Sequence, residues 1–79
     1  MIHLHNVNAH ELITALCKIG YIPTRQTGSH IRLTIQHKSQ HHITIPNHDP
    51  LRIGTLNAIL NEVSGHLEIS KRELVKRLF

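Results

Sequence analysis

The clearest alternation in the chain runs through residues 30–36, "HIRLTIQ", where Ile31, Leu33 and Ile35 alternate with His30, Arg32, Thr34 and Gln36. A period of two puts the aliphatic residues on one face and the polar residues on the other, which predicts a strand buried on one side. "HHITI", residues 41–45, repeats the pattern with Ile43 and Ile45 inward, and Pro46 ends it. "HKSQ" between them reads as a polar hairpin loop, and Gly28-Ser29 reads as the turn feeding the first of the two strands. "IPTRQT", residues 22–27, predicts an edge strand, because Pro23 has no amide proton to offer a central ladder.

Helical spacing flanks the strands. Leu12, Ile13, Leu16 and Cys17 form an apolar stripe over about residues 9–19, which places Cys17 toward the core. Asn8 and Glu11 suit a capping box, and Gly20 suits a left-handed stop. A second stripe is Leu51, Ile53, Leu56, Ile59, Leu60 and Val63. Either Asp49 before Pro50 or Thr55 after Gly54 is its expected cap, and Gly65 its expected stop. Ser70 and Glu73 then open a short helix through Leu74, Val75, Leu78 and Phe79. The order helix, three strands, helix, short tail helix predicts an α+β fold. Two helices cover one face of a three-stranded antiparallel meander. The other face stays open and carries His30, Arg32, Thr34, His42 and Thr44.

Composition narrows the function. A chain of 79 residues predicts one domain, residues 1–79, with its core over about 8–65 and a helical tail over 66–79. Tyr21 and Phe79 are the only aromatics, so the core is expected to be Ile, Leu and Val, and a base-stacking platform is disfavoured. A net charge of +4 points to an anionic partner: RNA, DNA, a membrane surface or an acidic protein. Cys17 has no second cysteine to pair with, which excludes an internal disulfide and suggests a reducing compartment. No apolar run approaches the ~20 residues of a membrane span. "MIHLHNVN" lacks the basic start and apolar stretch of a secretory signal, so the expected location is the cytoplasm, with no membrane partner. The histidines raise the question of metal: His3 and His5 form H-x-H, His41 and His42 are adjacent, and His37 lies across the same hairpin. They match no recognised zinc spacing, so neither a metal nor another cofactor is expected.

"GSH" opening the second strand, "ITIPNH" closing the third and "GTLNAIL" in the next helix stand in family-like order and spacing. Over about residues 8–65 the chain resembles HicA-like toxins. That resemblance implies a fold like that of double-stranded-RNA-binding domains. It also implies the toxin of a type II toxin–antitoxin system: a ribosome-independent endoribonuclease, or mRNA interferase, restrained by a HicB-like antitoxin. It puts the catalytic histidine at His30 and a second site residue at His48. Leu33 stands where many members carry an aromatic, and "QHH" at 40–42 stands where many carry more lysine.

The residue types suit that chemistry. RNA supplies its own nucleophile, the 2′-hydroxyl, and an imidazole ordinarily titrates close enough to neutrality to move its proton. His30 is then the base or acid of a metal-independent transesterification. Arg32, facing the same way, would hold a phosphate bidentately, with the Gly28 and Ser29 N–H groups and His48 beside it. Arg25 and Lys38 read as ordinary surface charges, and Lys71, Arg72, Lys76 and Arg77 as a solvated basic face. Two other readings compete: a non-catalytic RNA-binding domain of the double-stranded-RNA-binding type, and a protein-interaction domain for an acidic partner. No helix-turn-helix is apparent, so DNA is expected only indirectly, through the antitoxin.

Overall fold

Asn8 opens the first helix as its spacing to Glu11 predicts. Its side chain accepts from the Glu11 N–H at 2.8 Å, and the Glu11 carboxylate accepts from the Asn8 N–H at 3.1 Å. The computed structural model describes residues 6–79 from there onward, so His3 and His5 lie outside the described residues. Its elements are α1 (Ala9–Lys18), β1 (Ile22–Thr27), β2 (His30–His37), β3 (Ser39–Pro46), α2 (Ile53–Leu67) and α3 (Lys71–Leu78). The sheet is antiparallel in the order β1-β2-β3, and the architecture is α+β as expected.

Leu33, Ile35, Ile43 and Ile45 enter one buried cluster with Leu12 and Leu16 of α1 and Leu56, Leu60 and Val63 of α2. α3 joins the same cluster: Leu74 and Leu78 are at most 1 % exposed. Gly20 closes α1 at φ 116°, with the Tyr21 N–H on the Leu16 carbonyl and the Gly20 N–H on the Cys17 carbonyl. These two bonds are a Schellman closure. It drives Tyr21 inward, where it is 1 % exposed and the largest fully buried side chain.

Several details differ from the sequence expectations. Cys17 is exposed, because the buried stripe of α1 runs through Ala9, Leu12, Ala15 and Leu16 and leaves Cys17 one helical step beyond it. The core includes an aromatic, Tyr21, and is not purely aliphatic. The β2–β3 connection is not a four-residue loop: His37 pairs with Ser39, and Lys38 alone turns the chain at φ 65°. Neither Asp49 nor Thr55 caps α2. Leu51 is anchored first, buried and donating its N–H to the Val7 carbonyl, so the helix begins only after Arg52, which makes no side-chain cap bond. Gly65 does not stop α2, which runs to Leu67. Closure comes at Glu68, in the left-handed conformation, where the Ile69 N–H reaches the Ser64 carbonyl and half-buried Ile69 packs on the core. Lys38 and Glu68, both at positive φ, form an ion pair with each other.

β1 carries a bulge between Pro23 and Arg25, with Ile22 opposite Thr34 and Arg25 opposite Arg32. The extra residue breaks the simple alternation and puts both Thr24 and Arg25 on the open face.

A polar cluster joins β3 to α2. His41 shares the helix-covered face with Ile43 and Ile45, and its Nδ1 lies 2.9 Å from the Tyr21 hydroxyl. Its Nε2 lies 3.5 Å from the Glu62 carboxylate, and its ring stacks on His66 at 4.5 Å between centroids. The His66 Nε2–H in turn donates to the His37 carbonyl at 2.8 Å. Burial pushes the Tyr21 phenol up to about 12, with the Glu62 charge adding to it. Burial pushes His41 below the ordinary histidine value; His66 and His42 add to this and Glu62 opposes it.

Two outcomes follow from the packing. Leu74→Ala should lower unfolding free energy by about 2–5 kcal/mol, read as an earlier urea midpoint with unchanged slope. His41 binds a proton less readily in the folded than in the unfolded chain. Its contribution is therefore complete above pH 6.5 and falls as pH drops below that value. Thermal melts between pH 7 and pH 5 should show a fall that His41→Gln reduces; an unchanged profile in that variant would remove His41 as the source.

Candidate active site

The Gly28-Ser29 turn is a two-residue hairpin loop, since Thr27 pairs with His30 across it. Gly28 has φ 56°, the left-handed conformation that the first position of such a loop favours. A Cβ added there would meet nothing within 4 Å, so the preference for glycine is conformational and not a matter of space. Among the described residues, neither the Gly28 nor the Ser29 N–H has a backbone hydrogen-bond partner.

The other side of the turn is tied down by the chain leaving β3. The Ser29 carbonyl accepts from the Asn47 N–H at 2.6 Å, and Pro46, the residue before, is the ladder partner of His30. The chain then doubles back, with the His48 N–H on the Pro46 carbonyl at 2.8 Å. The His48 carbonyl accepts from the Ala9 N–H at 3.0 Å, one of the donors that a helix leaves unpaired in its first turn. Gly28, Ser29, His30 and His48 are thus brought to one end of the sheet, and all four are exposed. Asn47 was missed by sequence reasoning. Its contribution is a backbone bond to a distant turn, for which no side-chain signal exists.

Arg32 lies on the same face as His30, about 7 Å further along β2. It is half-buried, and its Nε–H donates to the Thr24 Oγ1 at 3.4 Å. That bond uses one of the five guanidinium N–H donors and leaves the two terminal amino groups for a bidentate acceptor. The contact continues across the sheet: Thr24 Oγ1 is 2.8 Å from Thr34 Oγ1, which is 2.7 Å from His42 Nδ1. Thr34 is only 8 % exposed although it faces away from the helices, because Thr24 and His42 close over it. His41 and His42 therefore lie on opposite sides of the sheet. Among the described residues, no three His, Cys, Asp or Glu side chains are grouped as a metal would need.

The arrangement combines an exposed imidazole, a guanidinium with open donors and two unpaired amides at the rim of one polar sheet face. It can accept or release a proton beside a bound phosphate. A family model described as HicA toxin of bacterial toxin-antitoxin matches residues 9–64, which takes in all of these groups. Comparison with curated proteins and with solved structures returns no match.

Proposed function

The chain belongs to the HicA toxin family, toxins of bacterial toxin–antitoxin systems, and from that premise we propose that it is an endoribonuclease acting on mRNA. The observation that carries this reading is the placement of His30: exposed, at the mouth of the Gly28-Ser29 turn, on the face that also presents Arg32. In the proposed reaction the RNA 2′-oxygen forms a bond to the adjacent phosphorus while the bond from phosphorus to the 5′-oxygen breaks. One proton leaves the 2′-hydroxyl and one arrives on the departing 5′-oxygen. His30 carries out one of these transfers, a contribution on the order of 10²–10⁴-fold. Arg32 spreads its charge over the phosphate oxygens, and the Gly28 and Ser29 N–H groups with His48 hold the same phosphate from the other side. The products are a 2′,3′-cyclic phosphate and a 5′-hydroxyl, and no metal enters.

The partner in this reading is a HicB-like antitoxin whose acidic residues meet the basic face around His30. The cytoplasm, where mRNA is met, is the matching location. No helix among the described residues is long and apolar enough to cross a membrane.

Induced expression of the wild type should arrest growth and fragment transcripts, whereas His30→Ala should do neither while melting at the wild-type temperature. In vitro cleavage should persist in EDTA and disappear when the 2′-hydroxyl at the cleaved bond is replaced by hydrogen. Retention of cleavage by His30→Ala, or its loss in EDTA, would reject the mechanism. RNA binding without any cleavage would favour a non-catalytic RNA-binding domain.

A further inference from the structure

We propose that the open face of the sheet is a track for single-stranded RNA, with Arg25 as a phosphate-binding residue beside Arg32 and His42 at its far end. This rests on the reading of the chain as a protein that acts on RNA. It adds a binding surface to the residues around His30.

The bulge at Thr24 is the first support. Strict alternation from Ile22 would send Arg25 to the helix-covered side. The extra residue instead sets it directly opposite Arg32 on the open face. Two guanidinium groups facing each other across a strand pair repel, and such an arrangement favours an anion between them. Among the described residues neither arginine has a carboxylate partner.

Charge over the whole face points the same way. The acidic residues of the chain are Glu11, Asp49, Glu62, Glu68 and Glu73, so none lies anywhere in the three strands. In the strands the face is otherwise threonine, glutamine and histidine, with Pro46 beside His30 and one large exposed apolar side chain, Ile22, at its corner. Among the described residues the face offers charge and hydrogen-bonding groups and no cluster of aromatic or aliphatic anchors, so whatever it binds, RNA or the acidic residues of an antitoxin, it binds through charge. Three strands make a strip about 10 Å wide, enough for one nucleic-acid backbone. His30, Arg32 and Thr34 follow one another along it at about 7 Å intervals. Thr24 Oγ1 lies 2.8 Å from Thr34 Oγ1, which lies 2.7 Å from His42 Nδ1, so the ring is held through that nitrogen and its Nε2 edge is what it offers to a further phosphate. Neither Tyr21 nor Phe79 lies on the face, so the contacts we assign are to phosphate and the track is indifferent to base identity.

Arg25→Gln, made in the His30→Ala background so that RNA survives, tests this by fluorescence anisotropy with a labelled single-stranded RNA. Arg72→Gln, on the basic side of α3, is the equal-charge control. Arg25→Gln should weaken binding about tenfold at 0.1 M salt and flatten the salt dependence by about 0.7 in slope, with an unchanged melting temperature; Arg72→Gln should do neither. An unaltered affinity in Arg25→Gln, or an equal loss in Arg72→Gln, would overturn the track. So would a loss of binding to an acidic partner protein with RNA affinity untouched. Cleavage by the chain with His30 intact is read separately. Binding that depends on Arg25 without any cleavage keeps the track and rejects the nuclease; cleavage without dependence on Arg25 does the reverse. Absence of all RNA binding removes both.

Discussion

Leu33 and Ile45 lose all contact with water because β2 meets β3 in one register, with Leu33 opposite Ile43 and Ile31 opposite Ile45. A slip of one residue would turn His30, Arg32 and Thr34 toward α1 and α2 and expose the isoleucines. Each fully buried aliphatic side chain contributes about 1.5–3 kcal/mol, so the helices hold the strands to this pairing. The same pairing aims the imidazole of the candidate site outward. The core and the site are two sides of one strand.

The two ends of that strand are held differently. Near His30 the ties are backbone bonds from Asn47 to Ser29 and from Ala9 to His48, which link turn, strand exit and helix start. Near His37 they are side-chain contacts, through His66, Tyr21 and the Lys38–Glu68 pair. The first arrangement leaves side chains free for chemistry, whereas the second uses them up. The histidines divide accordingly: His41 is half-buried and engaged on three sides, while His30 and His48 are exposed.

The bulge in β1 departs from regular geometry for a reason visible in its consequences. It places a threonine hydroxyl between Arg32 and Thr34 and sets a second arginine on the open face. Bulges commonly re-aim side chains beside functional sites, and this one changes which charges lie near His30.

Local pattern determined the elements here. Period two in residues 30–36, helical period in the flanks, the Asn8–Glu11 cap and the Gly28 turn each depend on neighbours a few residues away, so they could be read from the chain. The side of the sheet on which His30 and Arg32 sit was readable for the same reason. Tertiary structure decided what depends on distant partners. Tyr21 became core because the Gly20 closure turned it under the helices. Cys17 fell outside because the stripe of α1 is set by what it packs on. α2 began between the two expected caps because Leu51 was needed in the core, and it ended late because Ile69 was. Arg25 changed faces because one residue too many was accommodated in β1. For Tyr21, Leu51 and Ile69, burial of an apolar group outweighed a local preference of about 1 kcal/mol, and no stretch of a few residues records that outcome.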